Sequence, residues 1–477
     1  MRAPKGSGAL IDLAALCELG CPSKEAVRST LEGWGGPVRH GIGVLAEKKR
    51  ADMVHNLLEV LRDAGVKVDA RDFTVGLSAC ARQSLWQHAC SILTTMPNAQ
   101  VCPNVFSFSA VISACEKGGQ WQQALHIFQA MPQAKIQPNV VTYNAMISAC
   151  EKGGQWQQAV SLLWVMPEAR VQPDLISYNA TISACEKGGH WTQALDLFHS
   201  MPQKKVESDR ISCNAAVSAC EKGGQWKQAL ALLGNTTLPD EISFNSAISA
   251  CEKGGQWQQA LNLFWAMPQA KVQPNAVSFS AAISACEKGG QWNQAFVLFQ
   301  SMSTANISCE QVSFNATISA CEKGRQWQLA LVLFRAMPDA KVNQDKISYN
   351  ATISACEKAG QWEQALDLFW AMPQAKVQPN VVSFSATISA CDKGGEWQQA
   401  LGLFWAMPAA EVHPNVVGFS AAISACGKGG QWQEALSLFR AMPEAKVNPD
   451  EISFNATVAA CKASGQWRRA LGISWSA

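Results

Sequence analysis

The sequence carries almost no net charge: 39 basic side chains stand against 37 acidic ones in 477 residues, a balance of +2. Such a balance makes no global electrostatic case for a nucleic acid or a membrane surface, so any such case must rest on where charges sit. There is no apolar run approaching about 18 residues, which excludes a helix spanning a bilayer. No Cys-x-x-Cys pair occurs, and Cys17 and Cys21, with the other cysteines outside the main series, form no metal-ligand set, so neither metal nor cofactor is expected. Strand-like alternation is missing throughout. The opening stretch, MRAPKGSGALIDLAALCELG, has Arg2 and Lys5 but also Asp12 and Glu18, so it reads as neither a secretory signal nor a good transit peptide. The His-x-Glu and Pro-Cys-x-x-Cys of zinc deaminases are missing, and no carboxylate cluster stands outside the repeated part. No catalytic residue is nominated and no enzyme is expected.

What is there is repetition. Trp86, Trp121, Trp156, Trp191 and Trp226 are 35 residues apart; Trp257 follows after 31, and Trp292 to Trp467 resume the interval of 35. Cysteines from Cys80 to Cys461 keep the same beat. A fixed period of this size implies a solenoid of stacked supersecondary units. Counted from the residue after the recurring Pro-Asn or Pro-Asp, repeats begin at Ala70, Val105, Val140, Leu175, Arg210, Glu241, Ala276, Gln311, Lys346, Val381, Val416 and Glu451. The Arg210 repeat is four residues short near GNTTLPD, which places the loss in a loop. The expected organisation is an N-terminal segment over 1–34, a degenerate repeat over 35–69, eleven repeats over 70–450 and a partial one over 451–477.

Each repeat contains two helical patterns. In the Val105 repeat, Phe108, Val111, Ile112 and Cys115 form one stripe, Gly118-Gly119 breaks the chain, and Trp121, Ala124, Leu125, Phe128 and Met131 form a second. Pro132 limits the second helix and Ser107 is the expected N-cap of the first. The fold class is therefore all-α, an α-solenoid superhelix of stacked helix-turn-helix repeats. The cysteine and tryptophan series are expected in the core, the cysteines reduced. Trp164, Trp265, Trp370, Trp405 and Trp475 are expected to pack between repeats.

On a helical wheel, positions 4, 7, 8 and 11 of a repeat average about 30°, whereas positions 2, 5, 9 and 13 fall on nearly the opposite side. Position 2 is aliphatic in most repeats; position 5 is only Asn, Ser or Thr; position 9 is Ser and position 13 is basic in all but the last. Stacked, these make four parallel stripes. Lysine or arginine meets phosphate and asparagine or serine meets base edges, so the surface suits a polyanion with hydrogen-bonding bases. A lysine at a helix end also suits the helix dipole, and Asn or Ser near a helix start also caps it. Neither role requires an exposed aliphatic neighbour.

With its 35-residue period, its Pro-Asp or Pro-Asn ending and units such as VVTYNAMISACEKGGQWQQAVSLLWVMPEARVQPD (140–174), the chain from about Ala70 to Ala477 resembles the pentatricopeptide repeat family, of the P type. The resemblance implies an α-solenoid that binds single-stranded RNA, one base per repeat, in RNA processing, stability or translation in a chloroplast or mitochondrion. It implies that positions 5 and 35 read the base while position 2 wedges beside it. Those pairs are Thr74 with Asn104, Ser109 with Asn139, Asn144 with Asp174, Asn179 with Asp209, Asn214 with Asp240, Asn245 with Asn275, Ser280 with Glu310, Asn315 with Asp345, Asn350 with Asn380, Ser385 with Asn415, Ser420 with Asp450, and Asn455 without a partner. Phosphate contacts are expected at Arg82, Lys117, Lys152, Lys187, Lys222, Lys253, Lys288, Lys323, Lys358, Lys393 and Lys428.

Aspartate can only accept, favouring U or G; asparagine at position 35 can donate to A or C. By family association, Asn at position 5 goes with pyrimidines and Ser or Thr with purines. The implied target is 5′-AAUUUC-n-UCAG-3′, open at Ser280/Glu310 and with C or U at the two Asn–Asn pairs. The partners implied are single-stranded RNA and other RNA-processing proteins, with no membrane and a monomeric chain. Two alternatives stay open at this point: a helical-repeat scaffold for proteins, and the RNA-binding part of a longer editing or nuclease protein.

Overall fold

The computed structural model describes Val54, Leu58 and residues 68–236 and 239–466. The expected segment 1–34, most of the degenerate repeat, Trp467 and Trp475 lie outside the described residues. Among the described residues are 23 α-helices and three short 3₁₀ turns, with no strand. None of these helices is long and apolar enough to cross a membrane.

Each repeat is a helical hairpin, as in Val140–Lys152 followed by Trp156–Glu168. Both turns have the same local cause. At the first, Gly119 takes φ +69° and Gln120 N–H reaches back to the Cys115 carbonyl at 2.9 Å. At the second, Lys135 takes φ 60° and Ile136 N–H bonds the Met131 carbonyl at 2.9 Å. A left-handed residue followed by a six-to-one bond satisfies carbonyls that the helix end leaves open. The second helix runs through Pro132 to Gln133 before it stops, so proline marks the last turn rather than its first missing residue. In the short repeat the second helix, Trp226–Asn235, is ten residues long, as is Trp191–Ser200; the deletion falls after it, in the loop.

The chain divides into two compact units, Met1–Pro239 and Asp240–Ala477. Within each, first helices pack on the first helices of adjoining repeats, and each second helix packs on the first helices of its own and the following repeat. No hairpin buries its apolar stripe alone. Ile112, Cys115, Ala124 and Met131 of the Val105 repeat have no exposed surface, and neither do Ile318, Cys321, Ala330 and Met337 of the Gln311 repeat. Successive repeats are keyed by edge-to-face rings at 4.7 Å, Phe299 on Phe314 and Phe334 on Tyr349 among them.

The tryptophans depart from expectation. Trp121 and its equivalents are half-buried rather than enclosed, because each lies over the turn of the next repeat. A Cβ on Gly153 would stand 2.3 Å from Trp121 Cδ1, so a larger residue there would have to push the indole aside. Trp164, Trp265, Trp370 and Trp405 do not pack between repeats; they are about half exposed (48–58%). One position beyond the inward Phe is a rotation of about 100°, which carries the indole onto the outer face. Trp265, Trp370 and Trp405 rest edge-on against the preceding Phe.

Burial pushes the series thiols up, to about 11 at Cys150, Cys185, Cys220, Cys251 and Cys356 and to about 12 at Cys286, Cys321, Cys391 and Cys426. The ordinary value is 9.0, so the folded chain holds these protons more tightly than the unfolded chain. Their contribution to stability is complete below that value and disappears as pH rises through 11–12. Urea unfolding midpoints should therefore fall steeply above pH 9, and combining Cys286→Ala with Cys321→Ala should lessen the fall while lowering stability at neutral pH. A second outcome concerns Arg325, which takes the first-turn left-handed position at φ 56° where most repeats have glycine. Arg325→Gly should stabilise the protein by about 1 kcal/mol, read as a raised Tm.

Candidate nucleic-acid interface

The side chain at position 35 has a structural duty before any other. Its backbone is extended, and its side-chain oxygen accepts the N–H three residues on, at the start of the next first helix. Asn104, Asn139, Asp174, Asp209, Asp240, Asn275, Asp345, Asn380, Asn415 and Asp450 all do this. The expected cap, Ser107, sits instead inside the helix and donates its N–H to Asn104 Oδ1 at 2.9 Å. The residue that closes one repeat thus opens the next. Glu310 has the extended backbone but makes no cap, its extra methylene carrying the carboxylate too far.

Position 35 also meets position 5 of the repeat it closes. Asn144 Nδ2 donates to both oxygens of Asp174, at 3.0 and 3.2 Å. Asn179 reaches Asp209 at 3.1 Å, and Asn315 reaches Asp345 at 3.2 and 3.3 Å. The Asn–Asn pairs, Asn245 to Asn275 and Asn350 to Asn380, are 3.3 Å apart. Ser385 donates to Asn415 at 3.0 Å and Ser420 to Asp450 at 3.3 Å. Two hydroxyls turn elsewhere. Thr74 bonds the Ala70 carbonyl, and Ser109 bonds the Val105 carbonyl and shares a hydrogen bond with Thr142. Asn214 belongs to the first unit and Asp240 to the second. Glu310 is exposed beside a half-buried Ser280, and Asn455 is exposed.

These contacts orient the amides. A carboxylate only accepts, so the Asn144 Nδ2 must face Asp174 and its oxygen must face away. Where position 35 is asparagine, the capping bond turns its oxygen toward the helix and leaves its NH₂ pointing outward. In the Glu241 repeat that NH₂, on Asn275, bonds the Glu241 carboxylate. A third group takes part that the sequence reading did not single out: the hydroxyl at position 3 of the following repeat. Ser177, Ser278 and Ser383 are fully buried and donate to Asn144, Asn245 and Asn350 Oδ1 at 2.6–2.7 Å. Ser212 and Ser348 turn to a backbone carbonyl instead, and Asn179 Oδ1 and Asn315 Oδ1 are left buried without a partner. Such an atom carries the cost of an unmet acceptor.

Beside most pairs stands a large apolar side chain in water. Val141, Ile176, Val277, Val312 and Ile347 at position 2 are 57–60% exposed, and Phe106 is 69% exposed. Position 13 is less simple than its sequence suggests. Lys152, Lys187, Lys222, Lys288, Lys323, Lys358, Lys393 and Lys428 each pair with the carboxylate at position 12 of the preceding repeat, at 2.6–3.0 Å. Position 9 is drawn in too: Ser183 and Ser389 donate to Glu151 and Glu357 at 2.8 and 2.9 Å. Among the described residues no group of three His, Cys, Asp or Glu is placed to hold a metal. The capping duty has a measurable consequence. Glu310→Asp, which brings the carboxylate within reach of the helix start, should stabilise the protein by about 1 kcal/mol in thermal unfolding.

Models of known families match along most of the chain. The PPR repeat family matches residues 103–152, 138–187, 239–288, 344–393 and 414–462. The pentatricopeptide repeat domain matches 56–118, and the PPR repeat matches 176–206, 277–307 and 312–342. Comparison with curated proteins gives no match. Among solved structures, the crystal structure of the pentatricopeptide repeat protein PPR10 from maize is similar in fold, with TM-score 0.53 and 19% identity over 97% of this chain and 80% of that one. PPR10 in complex with an 18-nucleotide psaJ RNA element aligns over 98% of this chain and 78% of that one at 18% identity, with TM-score 0.47. Yeast Rmd9p in complex with a 16-nucleotide target RNA aligns over 97% and 96% at 8% identity, with TM-score 0.34.

Proposed function

The chain belongs to the pentatricopeptide repeat family, and from that membership we propose that it binds single-stranded RNA in a sequence-specific manner, about one base per repeat, without catalysis of its own. The observation that carries the reading is the recurring contact between positions 5 and 35 beside an exposed aliphatic side chain, as at Asn144, Asp174 and Val141. Amide and carboxylate meet at one edge, and the apolar neighbour offers a face against which a base can lie. A scaffold for proteins would need neither the restriction of position 5 to three residue types nor its recurring contact with position 35.

The hydrogen-bond roles follow from orientation. In the Asn–Asp repeats the carboxylate at position 35 presents its acceptor oxygens, the Asn oxygen being held by Ser177 at Asn144 and buried at Asn179 and Asn315. These suit a base whose ring nitrogen carries a proton, which supports U at the repeats of Asn144, Asn179 and Asn315. In the Asn–Asn repeats the outward NH₂ of Asn275 or Asn380 donates, which supports C. Ser385 with Asn415 fits A, and Ser420 with Asp450 fits G. At Ser280 with Glu310 the reader is not anchored by a cap, and that base is left open. The position-13 cations lie on the same first helices and serve the phosphates. The role is carried in RNA processing, stability or translation within a chloroplast or mitochondrion, the usual setting of the family.

The test is base exchange at one repeat. With oligonucleotides differing only at the second base of AAUUUCAUCAG, the parent should prefer A there. Ser109→Asn should move the preference to a pyrimidine by roughly tenfold or more, the range of one good base contact. Equal affinity of parent and variant for all four bases at that position would remove the assignment.

A further inference from the structure

The ion pairs at position 13 raise a question that base reading leaves unanswered: why should a surface meant for phosphate neutralise its own lysines? The carboxylates are the better fixed partners. Their side chains are 13–20% exposed against 38–50% for the lysines. Glu151 and Glu357 are also held by a serine of the following repeat. An acid fixed beside the cation repels a phosphate that approaches it, and exposed pairs of this kind are weak enough to exchange partners. The pattern has exceptions within the chain. Ala81 occupies position 12 ahead of Lys117, so that lysine has no carboxylate there. At the other end Gly427 occupies position 12, and the next repeat has Ala463 in place of lysine.

We propose that the position-12 carboxylates act as built-in competitors of the RNA backbone. Each holds a cation that phosphate must win, which suppresses binding to RNA of any sequence and leaves base contacts to decide what stays bound. The proposal rests on the reading above that this face binds RNA. Its physical content is the salt dependence. Binding through free lysines falls with salt by about 0.7 in log–log slope per phosphate neutralised on a single strand. A ladder already neutral inside the protein gives a shallower slope than its lysine count implies.

The measurement is fluorescence anisotropy with labelled AAUUUCAUCAG and a scrambled oligonucleotide of the same composition, between about 50 and 200 mM salt. Parent protein is compared with the triple variant Glu287→Gln, Glu322→Gln, Glu357→Gln and with Ala81→Glu, each first checked for a helical spectrum and cooperative melting. The triple variant should bind both RNAs on the order of tenfold tighter, with a slope steeper by about 2 and an unchanged ratio between the two sequences. Ala81→Glu, which gives Lys117 a partner, should weaken both and flatten the slope by about 0.7. Parent-like affinity and slope in the triple variant, or no RNA binding by it at low salt, overturns the proposal. Should the triple variant not fold, a parent-like slope in Ala81→Glu does so alone. If the parent binds both RNAs equally while the variants shift as stated, the base assignments fall and this inference stands.

Discussion

The structure depends on one hydrogen bond repeated along the chain: the oxygen at position 35 accepting the N–H three residues further on. It satisfies a helix start that would otherwise leave its donors open, and it does so with the last residue of the previous repeat. The junction between repeats is therefore set by chemistry and not only by packing. Asp174 illustrates the consequence. Its Oδ1 accepts Ser177 N–H at 2.9 Å, and its carboxylate is simultaneously the partner of Asn144. Moving the junction would move the pair.

That sharing explains why so few residue types appear at position 35. The side chain must cap a helix, which favours a short acceptor, and must meet the residue at position 5. Asp and Asn do both and differ in what they leave facing outward, an acceptor in one and a donor in the other. The backbone N–H fixes which way an Asn amide points, so the ambiguity of an isolated amide is removed by the helix itself. Glu310 fails the first requirement, and the site around it loses its anchor.

The period, the two helices per repeat, the buried cysteines and the loop position of the deletion were all legible, because each is a property of one repeat read alone. So was the restriction of positions 2 and 5. What the sequence concealed were contacts between repeats. Ser107 is the cap that one repeat read alone suggests, but it lies inside the helix, and the cap is Asn104 in the repeat before. The Trp series looked like core because its spacing is helical, but Trp121 meets Gly153 of the next repeat and keeps one edge in water. Lys152 looked like a free cation because its partner, Glu116, lies in the neighbouring repeat. A wheel drawn for one helix shows none of these: the cap lies just outside the helix, and the contacts of Trp121 with Gly153 and of Glu116 with Lys152 join residues about one period apart.

The near identity of the repeats then has a physical use. If junction, turns and core are the same everywhere, the differences between repeats that matter for recognition are confined to a few side chains on one face. Ser177, Ser278 and Ser383 hold the asparagine oxygens at nearly one distance, 2.6–2.7 Å, in three separate repeats. Held in this way, the amides present their remaining atoms with little freedom to adapt. A polar group so fixed and partly screened from water makes a strong hydrogen bond with the right partner and pays heavily for the wrong one. On the RNA-binding reading proposed above, discrimination then rests on the outward-facing atoms at position 35, an acceptor in Asp and a donor in Asn.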